Sequence, residues 1–166
     1  TPSLATVQDQ SDDDGTGDSD PTVVNVVPAP SLGVTKTFVS STQLFPTIEQ
    51  ATFQIDVENT GNIIQTGVSL TDDLVAMLAP DGTLLNAVYP PVVTASGFAS
   101  GAANAAFDGA AVTELLSGNP TLAPGDIGTV SVTFTYQIPF GAPFAATNLA
   151  SAVSDQLTTP ATGTAP

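Results

Sequence analysis

An all-β sandwich of immunoglobulin type is the fold this sequence predicts, and three observations carry it. Segments that alternate apolar and polar residues recur along the chain, as in ATFQIDVEN and TVSVTFTYQI. Gly and Pro each occur 14 times, which supplies many turns. Lys and Arg together number one, so the long cationic residues that normally cover helix surfaces are missing.

The elements follow in order. Residues 1–30 form an N-terminal extension, either the end of a preceding repeat or a donated strand. It contains LATVQ at 4–8, an acidic loop at 9–20 and the β-prone run TVVNVV, stopped by Pro28 and Pro30. The sandwich spans 31–156. SLGVTKTFV begins it, with Leu32, Val34, Lys36 and Phe38 on one face. In ATFQIDVENTGN, Phe53, Ile55 and Val57 face inward, Gln54, Asp56 and Glu58 face outward, and NTGN turns the chain. IIQTGVSLTD places Ile64, Val68 and Leu70 together. The Ala/Gly-rich region 74–118 is less regular, with a strand at TLLNAVY and a helical turn near VTELL. TLAPGD turns into a long strand whose Val130, Val132, Phe134, Tyr136 and Ile138 share a face. ATNLASAV is the expected last strand, and residues 157–166 read as a Thr/Pro-rich linker. ATVQDQ at 5–10 echoes SAVSDQ at 151–156, as in an excerpt from a tandem array or a subunit whose first strand imitates its last.

Composition narrows function. A formal charge of −15 leaves nothing to neutralise phosphates, which excludes nucleic acid and disfavours an anionic membrane surface. With neither Cys nor His, thiolate sites, disulfides and the usual general base are absent. No apolar run is long enough to span a bilayer as a helix. The start at Thr1 suits both a processed secreted protein and an excerpt of a longer one.

In order, PSLGVTKTF, FQIDVENTGN, VSLTDDL, FDGAAVTELLSG, TLAPGDIGTVSVTFTYQI and ATNLASAV resemble the conserved repeat of bacterial and archaeal surface proteins. This is the immunoglobulin-like domain-of-unknown-function eleven family, and the resemblance spans roughly residues 30–156. It implies a β-sandwich in a tandem stalk, an extracellular location and a mechanical or adhesive role, without enzymatic turnover.

Lys36, Asp72 and Asn148 stand out because strand parity turns all three toward the core. A buried ion without a partner costs several kcal/mol, so each must be neutralised, paired or consumed. The arrangement is similar to the intramolecular isopeptide bonds of other surface proteins. Desolvation would yield a neutral lysine amine and a protonated acid able to polarise the asparagine amide. The alternatives are a buried Lys36–Asp72 ion pair with Asn148 only hydrogen-bonded, or a lysine that snorkels out at an edge. Asp73, Asp56 and Glu58 are rival acids, since a one-residue register change would turn them inward.

Asp12, Asp14, Asp18 and Asp20, set among Gly and Ser, are candidate oxygen ligands for calcium, against the alternative of a solvated linker. No cofactor is otherwise called for. Residues 4–8, with 22–27 as a further segment, are candidates for strand addition to a neighbouring copy. The expected partners are therefore copies of the chain itself, with a host or cell-surface ligand the second possibility. Glu49, Glu58 and Glu114 form no evident carboxylate pair for hydrolysis. The expected role is a structural module of a secreted surface filament or adhesin. The alternative is a ligand-binding adhesin domain that presents residues 79–118.

Overall fold

The computed structural model describes residues 26–79, 81–139 and 146–166. Ten strands and one helical turn succeed one another among them. They are β1 (Leu32–Phe45), β2 (Ile48–Asn59), β3 (Ser69–Asp72), α1 (Leu74–Leu78), β4 (Thr83–Leu84) and β5 (Val92–Ser96). After these come β6 (Ala99–Ala103), β7 (Leu116–Thr121), β8 (Ile127–Gln137), β9 (Asn148–Ser154) and β10 (Leu157–Ala165).

One sheet has the order β1-β2-β8, with β4 and β5 both pairing along the far edge of β8. The second has the order β10-β9-β3, and β6 and β7 form a separate ribbon. Taking β1, β2, β8 and β5 as A, B, E and D leaves β3, β9 and β10 as C, F and G. This is the ABED and CFG arrangement of an immunoglobulin-type sandwich. The core lies between the two faces. Phe53, Ile55 and Val57 of β2 and Val130, Val132 and Phe134 of β8 meet Leu70, Ala150 and Ala152 of the opposite sheet there.

The alternation read in β2 is the alternation observed, and in β8 it holds from Val130 to Phe134. Beyond it Thr135 is buried as well as Tyr136, and Ile138 is half-buried past the end of the strand. Facing Thr52 and Thr133 share a hydroxyl hydrogen bond of 2.8 Å on the outer face. NTGN does not close a hairpin; it carries the chain from β2 to the opposite sheet. Buried Asn59 holds this corner by donating to the carbonyls of Ile63 and Leu122.

Four expectations require correction. Ile64 does not share a face with Val68 and Leu70. It is exposed while Gln65 is buried, because Gly67 at φ +58° breaks the alternation and β3 begins only at Ser69. VTELL is extended rather than helical: Glu114 bridges to Thr71 and Leu116 opens β7. Of TLLNAVY, only Thr83 and Leu84 are strand.

The fourth correction moves a domain boundary. Residues 157–166 are not a linker, since β10 pairs with β9 from Leu157↔Ser154 to Ala165↔Asn148. Threonine-rich sequence suits a pleated strand, and Pro160 falls within the register shift between Leu157 and Ala161, where a missing N–H is tolerated. β10 also lies against the start of β1: a Cβ on Gly163 would stand 2.7 Å from the Val34 carbonyl oxygen. Gly163→Val is therefore expected to cost about 1–3 kcal/mol through overpacking, read as a lower urea midpoint with unchanged slope.

Candidate functional site: a buried lysine, aspartate and asparagine

The three polar residues singled out by strand parity meet inside the sandwich. Lys36 is 5% exposed, Asp72 1% and Asn148 0%. Lys36 comes from β1, where it sits opposite Ile55 of β2. Asp72 ends β3 opposite Ala150, and Asn148 opens β9 two residues before that alanine. Asp72 and Asn148 therefore project from neighbouring strands of one sheet, while Lys36 reaches them from the other. Asn148 is on the penultimate strand rather than the last, because β10 follows it.

The Lys36 ammonium donates to Asp72 Oδ2 at 2.6 Å. Asn148 Nδ2 approaches the same oxygen at 3.5 Å. Lysine nitrogen and asparagine amide thus converge on one carboxylate oxygen. Asp72 Oδ1 and Asn148 Oδ1 are buried and have no hydrogen-bond partner. Beneath the lysine, the Phe53 ring lies 5.3 Å from Nζ, and Phe53 stacks on Phe134 at 6.0 Å.

Burial dominates the electrostatics. It pushes the Lys36 pKa down, against the favourable charge and hydrogen bond of Asp72. It pushes the Asp72 carboxyl up, against the charge of Lys36 and the hydrogen bonds of Lys36 and Asn148. Both shifts favour the neutral forms, amine and carboxylic acid. A proton moving from Nζ to Asp72 leaves the net charge of the pair unchanged.

The rival acids are engaged elsewhere. Asp73 is exposed and caps α1 by accepting the Ala76 N–H. Asp56 accepts from Gln54 and from the Thr129 hydroxyl, and Glu58 is exposed. Glu49 accepts the Tyr136 hydroxyl at 2.9 Å, and burial with this carboxylate raises the tyrosine pKa to about 12. Glu114 fastens the β3 region, accepting from Ser69 Oγ and the Leu70 N–H. The calcium candidates Asp12, Asp14, Asp18 and Asp20, the strand candidate at 4–8 and residues 22–25 lie outside the described residues. Among the described residues, no cluster of three acids could hold a metal.

Sequence reading missed two further polar features. Gln65 and Ser154 are buried together, with the serine hydroxyl donating to Gln65 Oε1 at 2.5 Å. The alternation of β9 carries a signal for Ser154, which continues the inward series of Asn148, Ala150 and Ala152; nothing marks Gln65. Asp108 accepts the N–H groups of Ala110 and Val112 at 2.9 and 2.8 Å, and these bonds hold its carboxyl below the usual range. Because the folded pKa is depressed, its contribution is present above the ordinary carboxylate value and lost as pH falls through the lowered one. Acidification should loosen residues 108–112 first, read as faster amide exchange at Ala110 and Val112. Asp108→Ala should show that fast exchange already at neutral pH.

No family model matches the chain, and no curated protein matches it. Among solved structures it is similar to a GH20 exo-β-N-acetylglucosaminidase from Vibrio harveyi, at 10% identity and TM-score 0.36 over 80% of this chain. A family 123 glycoside hydrolase from Clostridium perfringens gives 12% identity and TM-score 0.37 over 70% of this chain. The chain spans 17% and 20% of those two proteins. The N-terminal domain of PorA gives 8% identity and TM-score 0.39, covering 81% of this chain and 95% of that one. Likenesses this distant assign the chain to no family.

Proposed function

We propose that the protein is a non-enzymatic structural module of an extracellular surface protein, one repeat or subunit of a stalk or filament, locked by an amide bond between Lys36 and Asn148. The observation that carries this reading is the convergence of Lys36 Nζ and Asn148 Nδ2 on Asp72 Oδ2 in a buried site. Turnover needs access for a substrate, whereas a sealed nucleophile, acid and amide suit a reaction that happens once.

The step balances within the chain. The ammonium of Lys36 gives a proton to Asp72, and the freed amine attacks Cγ of Asn148. The Nζ–Cγ bond forms and the Cγ–Nδ2 bond breaks. Asp72 takes a second proton from the attacking nitrogen as it delivers one to Nδ2, which departs as ammonia. Asp72 ends protonated beside a neutral amide, so no charge is left buried.

The single lysine makes a direct test. Trypsin has one site in this chain, at Lys36, and an acylated lysine is not cleaved. Fully denatured protein should remain one band after digestion. Two fragments, near residues 1–36 and 37–166, would return the site to a buried ion pair. The second reading, a ligand-binding adhesin domain, draws on exposed Val88 and Tyr89 in the 79–118 region. Isolated particles that bind glycans or cells, in place of repeating beads or fibres under negative stain, would favour it.

A further inference from the structure

We infer that the outer edge of β1 from Thr37 to Phe45 is the acceptor for a strand added by a second copy, and that the donor is residues 22–26, TVVNV. This rests on the filament reading above and names the two surfaces that would join.

β1 pairs with β2 along one side only, and no described strand bonds to its other side. β10 flanks its first part, with Gly163 near Val34, and the C-terminal Pro166 shares a pocket with Phe38 and Ser41 without pairing to the strand. From Thr37 to Phe45 every residue is exposed, including Val39 at 55% and Phe45 at 54%. Free edges are usually guarded by charge, proline or a bulge that twists them away. Here Thr37 to Ile48 carries no ionisable residue, in a chain with 16 acids. The irregularities between Phe38 and Ser40 and between Gln43 and Phe45 leave Ser40 to Gln43 in continuous register.

The donor is complementary in kind. Residues 21–30 are also free of charge and rich in β-branched valine, and Val26 and Val27 are exposed outside any strand. Asn62 fixes where this segment leaves the body: its amide donates to the Val27 carbonyl, and its Oδ1 accepts the Ala29 N–H. That anchor lies at the Leu32–Asn59 end of the β1–β2 ladder, whereas the acceptor edge runs to Phe45 at the other end. The two are up to ~45 Å apart, at about 3.3 Å per residue. Donor and acceptor at opposite poles make a heterologous contact, which propagates into a filament rather than closing as a dimer. Net charge opposes the approach of two copies, so added salt should promote association.

The test uses the full chain and two variants, with molar mass followed by light scattering across concentration at low and high salt. Val39→Lys/Leu44→Lys charges the acceptor; Val23→Pro/Val24→Pro removes donor N–H groups. Wild type should grow with concentration and salt. Each variant alone should stay monomeric with a wild-type thermal midpoint. Their mixture should form a pair of twice the monomer mass and stop, since only one donor and one acceptor remain intact. Monomeric wild type, continued growth of the acceptor variant, or a mixture that fails to pair would each overturn the assignment. A monomeric wild type whose midpoint falls with the acceptor variant would give the edge to another segment of the same chain, residues 140–145 included. Trypsin digestion of the denatured wild type, whose single site is Lys36, separates the two claims; the acceptor variant, with two added lysines, is not used for it. Uncut but monomeric protein keeps the lock and overturns the edge; assembling but cleavable protein does the reverse.

Discussion

Pulled by its ends, the protein is expected to withhold the chain between Lys36 and Asn148, about 110 residues or on the order of 370 Å of contour. The bond would join A and F strands across the core, so force entering at β1 passes straight to β9. β10 lies outside the tie and is held without a covalent bond, by pairing with β9 and by the packing of Leu157, Ala161 and Ala165 against the core. Peeling should therefore begin at β10 and stop at Asn148, releasing roughly 60 Å for the residues beyond it. Asn148→Ala should restore the full extension. Single-molecule force spectroscopy reads both lengths, and a wild-type trace with the long release would remove the tie.

Asp72→Ala is the second large effect. It removes the proton carrier and leaves Lys36 buried without a counter-charge, a loss of about 3–5 kcal/mol for one broken partner of a buried pair. The variant should retain its full sequence mass, lose its resistance to trypsin and unfold at a markedly lower denaturant concentration. Lys36→Met/Asp72→Leu replaces both ions with apolar side chains and should recover most of the pairwise loss, though not the covalent contribution. The gap between the double variant and wild type then measures the bond itself. If the two unfold alike, the site is electrostatic only.

Legibility in the sequence followed physical pattern. β2 and β8 are central strands with one face against the core and one toward solvent, so side-chain period alone located them. The triad was legible for the same reason, because a charged or amide side chain on an inward parity is conspicuous. β3 was blurred by Gly67, whose left-handed backbone shifts the phase and buries Gln65 in place of Ile64. β10 was hidden by composition: Thr, Pro, Ala and Gly look like a linker, and only pairing with β9 makes a strand of them. That pairing is tertiary, and no local signal reports it. Omitting β10 also made Asn148 look like a residue of the final strand. The consequence is mechanical, since a tie from first to last strand would protect the whole sandwich and a tie from A to F leaves G exposed to load.

The most direct measurement is the intact mass of the full chain under denaturing conditions. Formation of the Lys36–Asn148 amide expels one ammonia, so a mass about 17 Da below the sequence value is the expected result, restored to full in Asp72→Ala. A wild-type mass equal to the sequence value would contradict the bond and leave Lys36, Asp72 and Asn148 as a buried polar cluster.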